Sequence, residues 1–264
     1  MKSNLLTALF LSTAGIVSAT GGANAQSLPA PGQSEDNGWR HALAVYMFAP
    51  LRTWGDSTVG GTTASIDLSL GDLLDVLDFA LAGRYEGWNG DFGIILDANY
   101  AGIEQSGNLP GPGGAAFNVN VRQKWFGVLG AYRVNSGTTK SGQPFAIDVQ
   151  GGLRWNSIKQ TLTVGPATAG GDESWIEPVV GLRGMWRLNE KWTTVASADL
   201  GGFGAGGNDL QAAVNAGFDY QPWENVALTF GYRYLSVDYS SNLGGGFAYD
   251  VDQHGPYVGV KFFF

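Results

Sequence analysis

Two carboxylates and an imidazole lie close together near the end of the chain, in the run Asp250-Val251-Asp252-Gln253-His254. In an extended strand alternate residues point to the same side, so these three side chains are expected to share one face. An aspartate beside a histidine can act as a general acid–base pair, or can contribute to a metal site. This run is therefore the first candidate for chemistry.

The run lacks the partners that catalysis needs. The only other histidine is His41, near the opposite end of the neighbouring predicted strand, and about 3.3 Å per residue separates the two by about 20 to 30 Å. No serine stands beside either histidine on the same strand face. We therefore expect a protein that is not an enzyme, with no catalytic residue, no cofactor and no metal site, and we keep a rim enzyme or surface adhesin as the alternative.

A glycine-rich string also resembles a known binding pattern. Gly202-Phe203-Gly204-Ala205-Gly206-Gly207 has the spacing of a dinucleotide-binding loop, but an alternating segment follows it and not a helix. The pattern needs a helix N-terminus to bind pyrophosphate. We interpret the string as part of a loop, Gly204 to Asp209.

The last nine residues indicate which element carries these groups. Phe264, Phe262, Val260 and Val258 fall on one face of a strand, and the other face carries Lys261 and Gly259. A wholly apolar face opposite a mixed one is typical of a strand with lipid outside and a polar lumen inside.

Similar alternation recurs along the chain. Ten segments show it: Trp39 to Ala49, Phe79 to Trp88, Phe92 to Glu104, Phe117 to Val134, Phe145 to Thr161, Trp175 to Leu188, Trp192 to Phe203, Leu210 to Tyr220, Val226 to Tyr239, and Tyr249 to Phe264. Short turns alternate with longer glycine-rich loops, among them Gly165 to Asp172. The pattern predicts an all-β, transmembrane, antiparallel up-and-down β-barrel of ten strands, with eight strands as the alternative.

The predicted faces agree with this fold. Aromatic residues stand at the ends of the outward faces and aliphatic residues between them, as in Phe92, Ile94, Leu96 and Tyr100. Tryptophans crowd the short turns, where amphipathic rings settle at a membrane boundary: Trp88, Trp186, Trp192 and Trp223. A soluble β-sandwich, the competing fold, gives no reason for that placement.

The inward faces carry charges of both signs. Twelve positions form the predicted lumen network: Arg40, Arg84, Glu86, Asp97, Asp148, Arg154, Glu177, Arg183, Asp199, Asp219, Arg233 and Lys261. Buried charges need opposite partners, so a packed, salt-bridged interior is favoured over the alternative, a narrow charge-lined path for solutes.

The segment between the first two predicted strands contains a possible helix. Leu70, Leu73, Leu74 and Leu77 recur at helical spacing and are expected to share one face. They predict a short helix in the first extracellular loop, acting either as a lid over the barrel mouth or as an ordinary loop helix. The aspartates between them lack the spacing of a calcium-binding loop.

The N-terminus indicates where the barrel begins in the chain, and the composition limits what the barrel can bind. A charged start, an apolar stretch and the exit Ala23-Asn24-Ala25 predict a signal peptide over residues 1–25, followed by a flexible periplasmic leader over 26–38 and the barrel over 39–264. The chain has 41 glycines, no cysteine and a net charge of −8, and this acidic balance does not suit nucleic acid.

Signal peptide, alternating strands, aromatic girdles and terminal Phe264 together resemble the small Gram-negative outer-membrane barrels of the broad outer-membrane protein A and W type. The resemblance implies insertion in the outer membrane, and it implies that the assembly machinery reads the last strand, here Val258, Val260, Phe262 and Phe264. We expect a monomer in contact with outer-membrane lipid and lipopolysaccharide. We expect its function to be structural, or a narrow passive pore for small solutes, or both.

Overall fold

The computed structural model describes residues 38–59, 61–108, 115–241 and 246–264. The predicted signal peptide and nearly all of the predicted leader lie outside these residues. The described elements are β1 (Arg40–Phe48), β2 (Arg52–Val59), β3 (Thr62–Ser69), α1 (Leu70–Val76), β4 (Leu77–Asn89), β5 (Phe92–Asn108), β6 (Ala116–Thr138), β7 (Pro144–Val164), β8 (Ala167–Arg187), β9 (Trp192–Ala205), β10 (Asn208–Trp223), β11 (Val226–Ser241) and β12 (Phe247–Phe263).

The strands close into a barrel. Each strand from β4 to β12 pairs antiparallel with the next, β4 pairs with β1, and β1 pairs with β12 from Ala42↔Phe263 to Phe48↔Tyr257. Strand β2 also pairs with β12, directly beyond β1, so β1 and β2 occupy one position in the wall. The barrel therefore has ten strands; that prediction is confirmed and the eight-stranded alternative is wrong. We call the end where β1 begins and β12 ends the base, and the opposite end the rim.

A bulge separates β1 from β2. Phe48 pairs with Tyr257 and Arg52 pairs with His254, so four steps along the first strand match three along β12. The extra residue reverses the alternation, and inward positions change from even numbers in β1 to odd numbers in β2. Across the bulge stands Gly255, whose Cβ would lie 2.7 Å from the backbone nitrogen of Leu51. The glycine is therefore required by the close approach of the two backbones.

The predicted helix is present as α1. Ser69 caps it: the backbone nitrogen of Asp72 donates to the Ser69 hydroxyl, and the Asp72 carboxylate accepts from the Ser69 backbone at 2.9 Å. Hydrogen bonds from Ser69 lower the pKa of Asp72. The leucines do not form one buried face, because Leu73 is buried whereas Leu74 is 61% exposed and Leu77 begins β4.

Two predicted loops are wrong in extent. Strand β7 runs up to the predicted loop Gly165 to Asp172, and β8 begins at Ala167, so residues 165 and 166 alone join the two strands. Strands β9 and β10 are joined at Gly206 and Gly207 within the predicted loop Gly204 to Asp209. Both glycines of the second turn have positive φ. Glycine and threonine suggested loops here, but they alternate across paired strands, as in Thr163↔Thr168.

The outer wall carries an apolar belt. The exposed large residues include Phe92, Phe126, Val128, Leu153, Trp155, Ile176, Val180, Leu182, Val214, Leu228, Val258 and Phe262. On β7 the belt runs from Phe145 to Trp155, which is about 33 Å along the strand and about 25 Å along the axis of a barrel tilted by about 40°. Apolar side chains outside and charges inside invert the arrangement of a soluble protein, and this height matches a bilayer core.

Within the described residues, no helix is both long enough and apolar enough to cross a membrane.

The interior has two layers. Toward the rim, ten buried residues form an apolar cluster, here called the rim plug: Trp125, Ile158, Trp175, Ala213, Leu235, Val237, Tyr239, Phe247, Tyr249 and Val251. Toward the base the lumen is polar and contains a cavity. Trp88 belongs to this interior at 7% exposure. Its predicted place at the membrane boundary is therefore wrong, because it lies on the inward parity of β4.

Candidate functional site: the lumen

The twelve predicted charged residues all lie on the inner wall, buried or half-buried. Asp148 is only 2% exposed and accepts hydrogen bonds from two arginines, Arg133 at 2.9 Å and Arg183 at 2.8 Å. Arg183 also donates to Glu86 at 2.5 Å, across the lumen from β8 to β4. Arg84 extends the chain of ion pairs to Glu86 at 2.8 Å and to Asp97 at 3.0 Å.

A second group surrounds Glu177, which is fully buried. Arg154 lies 3.4 Å from this carboxylate and also binds Asp199 on β9. Asn208 donates to the same carboxylate from β10, and the indole nitrogen of Trp175 donates to it at 3.1 Å. Glu177 is thereby hydrogen-bonded and ion-paired, as burial requires, although it shares Arg154 with Asp199.

Four predicted members lie outside these two groups: Arg40, Asp219, Arg233 and Lys261. Lys261 forms an ion pair with Asp219. Arg40 donates to the Gly90 carbonyl at 3.5 Å. The guanidinium of Arg233 lies between two rings, 5.1 Å from the centroid of Trp125 and 5.8 Å from that of Phe48.

Sequence reasoning missed several members of the network. Arg133 pairs with Asp148 and lies 4.7 Å from the Trp88 ring, and Gln150 accepts from Arg84 at 3.1 Å. The alternation of β6 was sufficient to find Arg133, since Tyr132 faces outward and its neighbour must face inward. Gln150 follows from Asp148 in the same way on β7.

The two layers make the lumen apolar at the rim end and polar at the base end. In the rim plug, Trp175 stacks on Tyr239 with ring centroids 3.9 Å apart. Below the plug a cavity of about 270 Å³ reaches the base, where Arg40, Gln221 and Phe263 line it. The plug occupies the described lumen toward the rim, and the ion pairs occupy part of the space beneath it.

The candidate acid–base run lies outside this interior. Asp250 is exposed on the outer wall, Asp252 accepts a hydrogen bond from Tyr234 at 2.5 Å, and His254 bonds the Tyr232 hydroxyl. His41 bonds Tyr85 at 2.7 Å. Within the described ranges, no three histidine, aspartate or glutamate side chains form a group that could hold a metal ion.

The last strand faces as the sequence predicts. Val258, Phe262 and Phe264 are 57%, 43% and 67% exposed, Val260 is half-buried on the same face, and Lys261 points into the lumen. The backbone nitrogen of His41 donates to the Phe264 carbonyl at 2.9 Å, so the pairing of β1 with the last strand extends to Phe264.

No protein-family model matches the chain, and no curated protein matches it. Solved structures of similar shape exist. The translocator domain of the autotransporter NalP from Neisseria meningitidis is 16% identical, with a TM-score of 0.44, over 86% of this chain and 90% of that one. Ail, the attachment invasion locus protein of Yersinia pestis, is 8% identical, with a TM-score of 0.35, over 87% of this chain and all of that one. The outer membrane protein OprG from Pseudomonas aeruginosa is 11% identical, with a TM-score of 0.34, over 89% and 98%.

Proposed function

We propose that the protein is a structural component of the outer membrane, a monomeric barrel with a closed lumen. The observation that carries this proposal is the rim plug, because ten buried side chains occupy the path that a solute would follow. Of the two roles expected from the sequence, this geometry favours the structural one over the narrow pore.

Hydrogen bonds and ion pairs across the lumen support a rigid barrel. Arg183 joins β8 to Glu86 on β4, and Ser57 on β2 exchanges hydrogen bonds with Gln160 on β7 at 2.8 and 3.1 Å. Such contacts connect strands that are not neighbours in the sheet. Because Arg183 bonds both Asp148 and Glu86, solute entry past them would require several ion pairs to break together.

The orientation follows from the direction of β12, which runs from the rim to the base. We place the base in the periplasm and the rim outside, so that the last strand meets the assembly machinery on the periplasmic side. The proposal assigns no catalytic role to either histidine, whose ring nitrogens are hydrogen-bonded to tyrosines.

Fractionation of cells that express the full chain tests the location. We expect the protein in the outer-membrane fraction, with a folded band that shifts on heating and a β-rich circular dichroism spectrum in detergent. Recovery in the soluble periplasmic fraction, or a helical spectrum, would overturn the proposal.

A further inference from the structure

Three exposed cations lie together on the outer wall, just beyond the apolar belt on its rim side. Arg122 on β6 is in direct register with Lys159 on β7, and Lys124 pairs with Ser157 one outward position closer to the belt. All three side chains face outward and are exposed. We call these three residues the basic patch.

The patch is unusual for this chain. The net charge is −8, and elsewhere on the rim Asp238, Asp250 and Asp56 stand side by side on three neighbouring strands. Like charges directly opposite each other destabilise a sheet, so Arg122 beside Lys159 carries a cost in the free protein. Asp172 lies 3.9 Å from Lys159, with both side chains more than half exposed, and this contact compensates little.

The level of the patch identifies the layer of membrane that it meets. Phe126 and Trp155 form the last apolar pair of the belt, and the next outward pair is Lys124 and Ser157. One such step is about 5 Å along the axis of a tilted barrel, so the three cations stand about 5 to 10 Å beyond the apolar belt. Headgroups occupy a layer of about this depth on each side of the hydrocarbon core.

We propose that the basic patch binds the phosphate groups of an outer-leaflet glycolipid, the lipopolysaccharide that surrounds the barrel. The Arg122 guanidinium suits bidentate contact with a phosphate, and the two lysines add charge on either side. The lysine nearest the belt, Lys124, has its ammonium group 5.8 Å from the Tyr100 ring. This inference rests on the proposed function, since it requires the rim to face the outer leaflet.

Matched double variants test the patch. Lys124→Ala/Lys159→Ala removes two patch lysines, and Lys140→Ala/Lys191→Ala removes two exposed lysines from base turns. Purified protein in detergent is titrated with lipopolysaccharide and with the same glycolipid after its phosphates have been removed. We expect the patch variant to bind intact glycolipid about 30-fold more weakly than wild type, since each cation near the surface contributes about 1 kcal/mol, or about five- to sixfold in affinity. The base variant should keep wild-type affinity. Wild type should bind the dephosphorylated glycolipid more weakly still than the patch variant binds the intact one, because Arg122 then also loses its phosphate.

Equal affinity of the two double variants would overturn the inference, as would equal binding of the two glycolipids by wild type. Each variant is also refolded into neutral phosphatidylcholine vesicles and checked for a heat-shifted band. Failure to insert there contradicts the membrane barrel itself, whereas normal insertion with unchanged glycolipid affinity contradicts the basic patch alone.

Discussion

At the scale of single residues, buried charge dominates the interior. Asp148 holds Arg133 and Arg183 within hydrogen-bonding distance while only 2% of its surface is exposed. An arginine cannot lose its proton to escape burial, so each guanidinium depends on its carboxylate. These ion pairs are therefore tightly coupled, and single substitutions should reveal them.

Asp148→Ala should lower the free energy of unfolding by about 3 to 5 kcal/mol, because it leaves the buried guanidinium of Arg133 without its carboxylate and leaves Arg183 with Glu86 alone. Urea unfolding from lipid vesicles measures the change. Asp172→Ala is the control, since its pair with Lys159 is exposed and should contribute less than about 1 kcal/mol. Comparable losses in the two variants would show that burial does not set the strength of these pairs.

Much of this chemistry follows from the period-two pattern. Alternation along each strand predicts that the twelve charges face the lumen. The pairing of Arg154 with Asp199 also depends on the register between strands, which alternation does not specify. The prediction for Trp88 is wrong because it follows the preference of tryptophan for the membrane boundary, whereas the alternation along β4 places this residue inside the barrel.

At the scale of elements, the bulge between β1 and β2 sets the inward face of the rim. It turns Thr53 and Ser57 inward, and Ser57 then bonds Gln160 across the lumen. Neither the bulge nor the β2–β3 hairpin follows from the sequence pattern, because the alternation of β1 breaks at Pro50 and resumes in the opposite phase. The long loops were overestimated for a related reason: glycine occurs both in turns and in crowded strands.

Gly255→Ala should prevent most of the protein from folding, since the added Cβ would lie 2.7 Å from the Leu51 nitrogen and 2.8 Å from the Pro50 Cα. The folded fraction is measured as the heat-shifted band after refolding in detergent. Gly130→Ala, whose Cβ meets nothing closer than the Gly151 carbonyl at 3.9 Å, should fold normally. Equal yields of the two variants would contradict the close backbone approach at the bulge.

Replacing α1, Leu70–Val76, by a flexible linker of equal length should leave the barrel as impermeable as wild type. The helix contacts β3 and β5, and the rim plug closes the lumen independently of it. Swelling of liposomes in a small sugar measures permeability. Faster swelling after this replacement would assign the closure to a lid formed by α1.

At the scale of the whole molecule, the fold combines an apolar outside with an inside that holds the rim plug, the ion pairs and the cavity beneath the plug. The strand count, the antiparallel order and the outer face were predictable, because each depends on alternation repeated along the whole chain. The proposed closure of the lumen was only partly predictable. Charges of both signs indicated a packed interior, but the rim plug draws its residues from β6, β7, β8, β10, β11 and β12, and only the closed barrel brings them together.

Planar-bilayer recording on the purified, refolded protein tests the closed barrel most directly. A plug variant, Trp175→Ala/Tyr239→Ala, removes the stacked pair of the rim plug, and Trp155→Ala/Trp223→Ala removes two outer-wall tryptophans as the matched control. We expect no conductance steps from wild type or the outer-wall variant, and discrete steps from the plug variant, which also shows that the barrel inserts. Steady conductance steps from wild type would contradict the account.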